Sequence, residues 1–309
     1  MKLSIITVNF NAAEATISMV TSVLSALQNG SISSYEIIII DNKSAQDDVA
    51  ILNQSTIIDN NIVMVIFCDD NLGFAGGNNV GIQASQGEFV MLLNNDTEVR
   101  DSIFDRIIDF MESNNVSIVS PKILYMGEPC LVQYGGYDVR DKYFYRIKSP
   151  LHGVDNSTVN NVTRQTPFAH GAAMMLRRSA IDVVGLMRED YFLYFEELDW
   201  SQQFTNAGYG VWYYPFAEVF HSGSLATGRD SYSKIYYNSR NRLYFAHNNL
   251  SGITKVVAIM RQLIVSLPKN VLSSLFASDW GSAAAHIHGA YDFALGKRGK
   301  RGKCGKNGN

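Results

Sequence analysis

The sequence has 309 residues, of which 46% are hydrophobic and 18% are charged, a mixture too apolar for a disordered protein. This length is enough for one large domain or two modest ones. Lysine and arginine number 26 and aspartate and glutamate 29, so the formal net charge of −3 argues against a nucleic-acid partner. Residues 296–309 nevertheless hold six basic residues and no acidic ones, which predicts a basic tail that its glycines keep flexible and solvated.

Three cysteines are scattered through the sequence, too few for a disulfide framework and without the spacing of paired zinc ligands. They are Cys68, Cys130 and Cys304. The first apolar stretch is too short for the core of a signal peptide. Arg261 and Lys269 interrupt the most apolar segment, 253–276, so no membrane-spanning helix is expected. These features predict a protein of the reducing cytoplasm rather than a secreted or integral membrane protein.

The first 120 residues alternate short apolar runs with helical spacing of apolar residues. Each run is short enough to be a strand buried on both faces, and each ends in polar or acidic residues. The runs are Leu3–Val8, Glu36–Ile40, Ile62–Phe67 and Glu88–Leu93, with helical patterns at 17–27, 80–85 and 102–111. This alternation predicts an α/β fold with a mostly parallel sheet.

After residue 120 the pattern is less regular. The segment 126–166 is rich in tyrosine, aspartate and asparagine and predicts a long excursion of hairpins and loops. Further predicted elements are a strand at Ala172–Leu176, a helix at Glu197–Ala207, short strands at Val211–Tyr214 and Glu218–Phe220, and amphipathic helices at 253–276 and 282–295.

Polar residues follow the ends of the predicted strands. Asn9 and Asn11 follow the first run, Asp41 the second, Asp70 the third and Asp96 the fourth. Ligands of open parallel sheets bind beyond the carboxyl ends of the strands, where these side chains would converge. We therefore expect the functional site at this edge of the sheet.

The segment 73–79 is dense in glycine and precedes a helical pattern. Its backbone N–H groups would be able to approach phosphates closely, or the glycines would serve a tight turn that needs positive φ. The segment matches neither the dinucleotide-binding fingerprint nor a phosphate-binding P-loop. From the residues alone, a turn is the favoured interpretation.

Two candidate metal ligands stand at strand ends. Asp96 would hold a hard divalent cation against a diphosphate, or would start a turn or cap the next helix. His221 becomes a second ligand only if both strand ends face one cleft. His170, before a run of small residues, is either a buried structural side chain or part of an acceptor site.

Three carboxylates, Glu196, Glu197 and Asp199, come directly after the aromatic run 191–195. A desolvated carboxylate with like-charged neighbours has a raised pKa and is suited to act as a general base toward a hydroxyl. The same residues are also typical of a helix start, where acidic side chains interact favourably with the helix dipole. The pattern alone leaves both interpretations open.

In their order along the chain, these segments resemble family 2 glycosyltransferases of the GT-A fold, and among them the bacterial rhamnosyltransferase-like group. The resemblance covers Leu3 to about Leu250. The matching segments are TVNFN (7–11), IIDN with Ser44, NLGFAGGNNVGI (71–82), LLNNDTEV (92–99), FAHGAAMMLRR (168–178), YFLYFEELDW (191–200) and VFHSGS (219–224).

The resemblance implies a GT-A type α/β fold, with a mostly parallel central sheet flanked by helices and a C-terminal helical extension. It implies a glycosyltransferase domain over 1–250, with a nucleotide-sugar half at about 1–120 and an acceptor half at about 121–250. Residues 251–309 would form a helical extension with a basic tail that associates with an anionic membrane surface.

The resemblance also assigns roles to individual residues. Glu197 falls on the position of the catalytic base, with Glu196 as its substitute, and Asn94 stands where many relatives have aspartate, so metal binding would depend on Asp96. The implied nucleotide-sugar contacts are Thr7, Asn9, Asp41, Gly76, Asn78, Asn79 and Asn95. The implied acceptor contacts are His170, Asp199 and Trp200, and the implied ligands of Mg²⁺ or Mn²⁺ are Asp96 and His221.

The implied function is an inverting glycosyltransferase that moves a sugar from a dTDP- or UDP-sugar to a hydroxyl of a lipid-linked cell-surface glycan, with rhamnose from dTDP-rhamnose favoured. Such an enzyme would act on the cytoplasmic face of the cell membrane, as a peripheral protein. A sugar-phosphate nucleotidyltransferase is an alternative, although that class usually has a glycine-rich, arginine-containing loop after the first strand. A non-catalytic glycan-binding protein that retains the fold is another.

Overall fold

The computed structural model describes residues 1–127, 130–141, 146–223 and 231–302. In the N-terminal part the elements are β1 Leu3–Asn9, α1 Ala13–Gln28, β2 Tyr35–Asp41, α2 Gln46–Gln54, β3 Val63–Phe67, α3 Gly73–Ala84, β4 Phe89–Leu93, β5 Thr97–Glu98 and α4 Ile103–Ser113. The central part holds β6 Ile118–Tyr125, β7 Val132–Tyr134, β8 Asp138–Asp141, β9 Arg146–Lys148, β10 Arg164–Gln165, β11 Ala173–Arg177, α5 Arg178–Val184, α6 Glu196–Asn206 and β12 Val211–His221. The C-terminal helices are α7 Tyr232–Asn249, α8 Gly252–Arg261, α9 Leu267–Phe276 and α10 Trp280–Ala294, with a π-helical turn Gln262–Ser266 between α8 and α9.

One large sheet organises the described residues. Its strand order is β10-β12-β6-β11-β4-β1-β2-β3, with β5 paired to β12 and β7 to β6. The pairs among β4, β1, β2 and β3 are parallel, β11 is antiparallel to both β4 and β6, and β12 is parallel to β6. Because two antiparallel steps restore the direction, the carboxyl end of β12 lies at the same edge as those of β1, β2 and β4. The expected α/β fold with a mostly parallel sheet is confirmed.

Apolar side chains of successive strand residues pack on opposite faces of the sheet. Ile5 and Ile37 lie with α1 and α4 on one face, and Ile6 and Ile38 lie with α3 and α6 on the other. All four are fully buried, and each such side chain contributes about 1.5–3 kcal/mol through burial. The sheet is therefore covered on both faces, and its carboxyl edge is the place left for a ligand.

The structure corrects the prediction of two short strands near residue 215. The segments 211–214 and 218–220 belong to one strand, β12, whose pairing with β6 shifts register between Tyr214 and Glu218. Pro215 has no N–H to donate, so the hydrogen-bond ladder is interrupted although the chain continues in the same direction. The expected excursion at 126–166 does contain short strands, β7 to β10, of which β8 and β9 form a hairpin.

The first residues of the basic tail are tied to the rest of the protein, contrary to the prediction of a flexible segment, although the side chains of Lys297, Arg298 and Lys300 are exposed to solvent as expected. The Lys297 carbonyl accepts the Tyr244 hydroxyl at 3.0 Å, and the Gly299 carbonyl accepts the Arg240 guanidinium at 2.8 Å. Arg298 forms an ion pair with Asp190. Contacts to residues far away in the sequence therefore hold 297–301, and the remainder of the predicted tail, 303–309, lies outside the described residues, as does Cys304.

The C-terminal helices differ in how they are covered. α10 packs along α7, whereas the continuous helical stretch Gly252–Phe276 has no buried residue. This stretch is 25 residues long, and an 18-residue window within it has a mean hydropathy of 1.2, enough by length and composition to cross a membrane. The sequence analysis had excluded a spanning helix because Arg261 and Lys269 interrupt this segment. By length and composition that exclusion was wrong. The division of the chain at residue 250 stays a prediction.

Gly73, at the start of α3, has a conformation that only glycine adopts without strain. Its φ is +74°, and a Cβ there would collide with the Phe192 carbonyl oxygen. We expect Gly73→Ala to lower the free energy of unfolding by about 1–2 kcal/mol for the positive φ and by about 1–3 kcal/mol more for the collision. Gly208→Ala, at φ +90° in open space, is the matched control and should show the first cost alone. Urea unfolding of both variants would measure this, and equal losses would contradict the collision.

Candidate active site

The carboxyl ends of β1 and β2 meet in a buried hydrogen-bond network around Asn9. The Asn9 amide donates to the carboxylates of Asp41 and Asp48, each at 2.9 Å, and its carbonyl oxygen accepts the Thr16 hydroxyl at 2.8 Å. The Thr16 hydroxyl accepts the Asn95 amide at 3.0 Å, which connects the network to the end of β4. Asn9 has no exposed surface, so it fixes Asp41 in place and leaves half-buried Asn95 as the more accessible side chain.

Thr7 lies on the same face of β1 as Asn9, two residues earlier. Its side chain is fully buried, and its hydroxyl has no hydrogen-bond partner within the part of the chain that the structure describes. An unpaired buried hydroxyl costs free energy, so its presence here needs an explanation. The expected contact of Thr7 with a nucleotide would supply one and stays a prediction.

The glycine-rich segment forms the first turns of α3 rather than a loop or a tight turn before it. Asn42 holds the start of the helix, because its side chain accepts the Leu72 N–H at 2.9 Å and donates to the Gly73 carbonyl at 3.0 Å. A Cβ at Gly77 would lie 3.0 Å from Val8 of β1, so the missing side chain lets the helix pack closely on the sheet. The glycines thus serve helix packing.

The other residues expected at the donor lie on the same helix. The Asn78 amide donates to the Phe74 carbonyl at 2.9 Å, and the Asn79 amide donates to the Met187 carbonyl and to Glu189, both at 2.9 Å. Both asparagines are buried, and Gly76 lies against the side chains of Leu72 and Glu189. Asn79 therefore ties α3 to the segment 187–189, whereas the Asn78 bond stays within α3. Direct contact of these residues with a nucleotide sugar stays a prediction.

Asp96 and His221 form a close pair at the carboxyl edge of the sheet. The pairing of β5 with β12 sets Thr97 opposite His221 and brings His221 Nε2 to 3.0 Å from Asp96 Oδ1. His221 Nδ1 lies 2.8 Å from Gln133 Oε1, and the Ser222 N–H donates to the Asp96 carbonyl at 3.1 Å. Burial opposes ionisation of Asp96, yet the hydrogen bonds from His221 and Ser222 outweigh it and hold the pKa of this carboxyl below its ordinary value.

The donor atoms of this pair fit a divalent cation. Gln133 Oε1 is an acceptor, so it takes the Nδ1 proton and leaves Nε2 facing the Asp96 carboxylate. If the imidazole is neutral, its Nε2 lone pair and the Asp96 carboxylate oxygen are two acceptors that face each other at 3.0 Å. A proton or a cation between these two atoms would remove their repulsion. Within the described ranges no cluster of three or more His, Cys, Asp or Glu side chains is found, so the pair would supply two ligands and a bound diphosphate the others.

His170 lies beside this pair. Its ring centroid is 6.3 Å from that of His221, and its ring stacks on Tyr137. Burial, with smaller contributions from His221 and His152, lowers the pKa of His170 to about 3, so the ring is neutral at physiological pH. Its Nδ1 accepts the Ala172 N–H at 3.1 Å. The structure thus brings a residue expected at the acceptor next to one expected at the metal.

The aromatic loop, residues 191–195, has an unusual backbone conformation. Three of its residues have φ between 67° and 77°, in the left-handed region, where a residue other than glycine costs about 1–2 kcal/mol. They are Phe192, Tyr194 and Phe195. Such strain persists only where surrounding contacts impose it, and the last of these residues directly precedes α6.

Two buried polar side chains of α7 hold the aromatic loop. The Asn241 amide donates to three of its carbonyl oxygens at 2.8–2.9 Å, and Arg240 donates to one of them at 2.8 Å. The three carbonyls belong to Tyr191, Leu193 and Tyr194. Neither α7 side chain has more than 1% of its surface exposed. We infer that α7 positions the residues that follow the loop.

The aromatic loop delivers Glu196 and Glu197 to the first turn of α6. Glu196 is buried, and its Oε2 has no hydrogen-bond partner among the described residues, whereas Glu197 is half-buried and lies against Gly171. Burial raises the pKa of both carboxyls, with a further contribution from the Glu197 charge at Glu196, and brings that of Glu197 to about 7. Glu197 is the more accessible of the two and is suited to exchange a proton near neutral pH.

Asp199 and Trp200, expected at the acceptor, lie in the interior instead. Asp199 Oδ1 accepts the Tyr191 hydroxyl at 2.9 Å and the Asn249 amide at 2.6 Å, and Trp200 Nε1 donates to the Gly185 carbonyl at 2.9 Å. Neither side chain has more than 1% of its surface exposed. Their position after the acidic pair puts them on the inner face of α6, where they support the site and do not line it.

Three residues at the site escaped the sequence reasoning. Arg240 and Asn241 stand in a helix otherwise rich in tyrosine, and a polar pair in such a setting is a usable signal for a buried hydrogen-bond network. Gln133, which holds His221, lies in the excursion 126–166, where no pattern marks it.

Comparison with known sequences identifies the family. A model of glycosyl transferase family 2 matches residues 4–185, more than half of the chain. The low-salt glycan biosynthesis hexosyltransferase Agl10 of Haloferax volcanii is 26% identical over 220 residues, which are 70% of this chain and 68% of that protein. The dTDP-rhamnosyl transferase RfbF of Shigella flexneri is 23% identical over 230 residues, which are 67% of this chain and 73% of that protein. The N-acetylglucosaminyl-diphospho-decaprenol L-rhamnosyltransferase of Mycobacterium tuberculosis is 34% identical over 89 residues, 29% of either chain.

Solved structures share the fold at low sequence identity. A mannosyltransferase from Pyrobaculum calidifontis, in complex with GDP-mannose and Mn²⁺, has a TM-score of 0.61 at 11% identity and covers 96% of this chain and 88% of its own. GalNAc-T7 with UDP, GalNAc and Mn²⁺ also has a TM-score of 0.61, at 14% identity over 84% of this chain, which spans 54% of that protein's length. The protein therefore belongs to the family 2 glycosyltransferases, in their rhamnosyltransferase-like group, and has the GT-A fold.

Proposed function

We propose that the protein is an inverting, metal-dependent glycosyltransferase that moves rhamnose from dTDP-rhamnose to a hydroxyl of a lipid-linked cell-surface glycan. The observation that carries this proposal is the convergence of two chemistries in one cleft. Glu197 packs against Gly171, and the ring of the adjacent His170 is 6.3 Å from that of His221, the partner of Asp96. A candidate base thus lies beside a candidate metal pair.

The choice of donor and acceptor draws on the relatives. RfbF is a dTDP-rhamnosyl transferase, and the mycobacterial relative acts on an acceptor with a diphospho-decaprenol carrier. The hexosyltransferase Agl10 matches a larger share of the chain than the mycobacterial enzyme does. For this reason a different hexose, and a UDP-sugar, stay among the donors to test. Family membership favours sugar transfer over the nucleotidyltransferase alternative.

The proposed mechanism gives each side chain of the cleft one task. Asp96 and His221 would hold Mg²⁺ or Mn²⁺, which when bound offsets the negative charge of the departing nucleoside diphosphate. Glu197 accepts the proton of the acceptor hydroxyl as that oxygen attacks the anomeric carbon. Direct attack in one displacement inverts the configuration at that carbon. The half-buried position of Glu197 keeps its pKa near neutrality, which suits a base at physiological pH.

The exposed stretch Gly252–Phe276 and the residues after it are proposed to dock on an anionic membrane surface as a peripheral contact. Ile264 is 60% exposed, Phe276 87% and Trp280 72%, more apolar surface than a water-facing helix usually presents. Lys255 lies on the same stretch, and each basic residue near an anionic bilayer contributes about 1 kcal/mol. Such a contact would place the cleft at the cytoplasmic face of the membrane, where a lipid-linked acceptor is found.

Asp96→Asn removes the charge of the candidate metal ligand and keeps its shape. We expect wild-type affinity for dTDP to rise with Mn²⁺ and the variant to lose most of that rise, because one of two protein ligands is gone. Isothermal calorimetry of dTDP binding, with and without Mn²⁺, measures the effect. Asp182→Asn, which alters an exposed carboxylate on α5, is the matched control and should behave like the wild type. An unchanged Mn²⁺ dependence in Asp96→Asn would exclude this residue as a ligand.

Glu197→Gln removes the proposed base. We expect turnover of dTDP-rhamnose with a lipid-linked acceptor to fall about 10²–10⁴-fold while dTDP binding is retained. In the wild type, turnover should decline as the pH falls through about 7, since a protonated carboxyl accepts no proton, and this decline should be absent in the variant. A larger loss in Glu196→Gln would move the assignment to that residue, and equal loss of dTDP binding and turnover would indicate a structural role.

The membrane contact is tested by sedimentation with phosphatidylglycerol vesicles. The double variant Ile264→Glu/Phe276→Glu should lose most binding, because two exposed apolar side chains of the docking stretch become charged. Val183→Glu, on α5 and 66% exposed, is the control for a new surface carboxylate elsewhere and should bind like the wild type. Equal partitioning of all three proteins would refute docking through this stretch.

A further inference from the structure

A cavity lies between the excursion 126–166 and the first half of β12. Its volume is about 400 Å³, within the range of about 300–1,000 Å³ that is usual for small-molecule pockets. The excursion supplies most of its lining, and Tyr213 contributes from β12. These residues differ from those that form the cleft, so the cavity is a second place where a ligand would fit.

Buried aromatic rings connect this cavity with the candidate metal pair. The Tyr134 ring is fully buried, and its centroid is 5.8 Å from that of Tyr213 and 5.2 Å from that of His170. His170 is in turn the neighbour of His221. Two packed rings thus lie along the path from Tyr213 to His221, which separates the cavity from the cleft while keeping both in the same half of the protein.

One wall of the cavity carries an ion pair. Arg164 Nη1 donates to Asp138 Oδ1 at 2.9 Å, and Arg164 Nη2 donates to the Gly135 carbonyl at 3.2 Å. A Cβ at Gly136 would lie 2.7 Å from the guanidinium, so the missing side chain leaves room for this group. Both charged side chains stay partly exposed, 32% for Arg164 and 45% for Asp138. The wall therefore offers hydrogen-bond donors and acceptors without a net charge.

Tyr213 adds a hydroxyl without a partner. Only 2% of its surface is exposed, and within the residues that the structure describes its hydroxyl makes no hydrogen bond. Burial raises the pKa of Tyr213 above its ordinary value although the Arg164 charge opposes this effect, so the hydroxyl keeps its proton. An unpaired buried hydroxyl costs free energy, which a polar atom brought to this wall would recover.

The rest of the lining is mostly apolar. Pro150, Leu151 and Val162 line the cavity together with Asn160. A Cβ at Gly135 would lie 2.5 Å from Leu151, so this glycine lets the leucine pack at the wall. Val162 is 53% exposed, which places it at the mouth. C–H groups beside uncharged donors and acceptors are complementary to a sugar ring, which presents both C–H and hydroxyl groups.

The lining is less suited to the other small ligands of a glycosyltransferase. Asp138 already neutralises Arg164, so the cavity lacks the excess positive charge that a phosphate or diphosphate prefers. The Tyr213 ring is buried and leaves no aromatic face on which a nucleobase would stack. Among donor, nucleotide and glycan, a neutral sugar unit is therefore the ligand with the best match.

We propose that this cavity binds a neutral sugar unit of the acceptor glycan, away from the hydroxyl that is glycosylated. This inference rests on the proposed function, in which the acceptor is a glycan, and adds a second place where that glycan is held. The sugar would accept hydrogen bonds from Arg164, donate to Asp138 and supply a partner for the Tyr213 hydroxyl. A glycan of several sugars would be held there while its end meets Glu197.

The test is a titration of the full chain by saturation-transfer NMR. The probes are methyl α-L-rhamnopyranoside and N-acetylglucosamine, since rhamnose and N-acetylglucosamine occur in the reactions of two relatives, and inorganic phosphate is the charged comparison. We expect at least one sugar to bind the wild type and phosphate not to displace it. Absence of binding by both sugars, or displacement by phosphate at equal concentration, would overturn the proposal.

Val162→Trp places an indole at the mouth of the cavity and should weaken sugar binding about tenfold or more. Val183→Trp is the matched control, because Val183 is 66% exposed on α5, and it should bind sugar like the wild type. Tyr213→Phe removes only the hydroxyl and should weaken binding about twofold to tenfold, the usual effect of one neutral hydrogen bond. Equal sugar binding by all four proteins would assign it to another site and refute the cavity.

Kinetics distinguish failure of this proposal from failure of the proposed function. Val162→Trp should raise KM for a lipid-linked acceptor with several sugars, with kcat unchanged, because it removes binding that is equal in ground and transition states. If it transfers sugar to that acceptor with the wild-type KM, the cavity is refuted and the proposed function stands. If the cavity binds sugar but the wild type transfers none from any nucleotide donor tested, the proposed function is refuted instead.

Discussion

The antiparallel position of β11 between β4 and β6 is the constraint on which the cleft depends. With β11 reversed relative to both neighbours, β6 and β12 regain the direction of β4, and the end of β12 returns to the edge where β1, β2 and β4 end. The short pairing of β5 with β12 then brings together Asp96 and His221, which are 125 positions apart in the sequence. A single antiparallel step between β4 and β12 would instead have put these two strand ends at opposite edges of the sheet.

The second requirement is a rigid support for the carboxylates. Three residues of the aromatic loop hold positive φ values that cost free energy in isolation, and the buried side chains of Arg240 and Asn241 compensate by donating hydrogen bonds to the loop carbonyls. The same loop accepts the Phe74 N–H at the start of α3. Helices on both sides of the cleft therefore set the position of Glu197, although none of these contacts is local in sequence.

The sequence predicted those parts of the fold that depend on local patterns. Strands buried on both faces, such as β2, appear as continuous β-branched runs, and the GT-A fold and family followed from motifs of mixed polar and glycine residues. The conformation of Gly73–Asn79 was not predictable, because a missing Cβ serves a tight turn and close helix packing equally well. Asp199 is buried rather than directed at an acceptor, because it lies two residues after Glu197 on α6, which turns it about 200° around the helix to the inner face.

The contacts of residues 297–301 have a consequence for the order in which the protein matures. Arg240 connects the aromatic loop on one side with the Gly299 carbonyl on the other, and the Gly299 N–H and Arg298 both contact Asp190. A nascent chain contains all the strands from β1 to β4 once its residues up to Leu93 have emerged. The support of the aromatic loop is complete only after residue 301 has emerged from the ribosome. The position of the residues that follow the aromatic loop, Glu196 and Glu197, is therefore fixed late, after residues 1–120 have been synthesised.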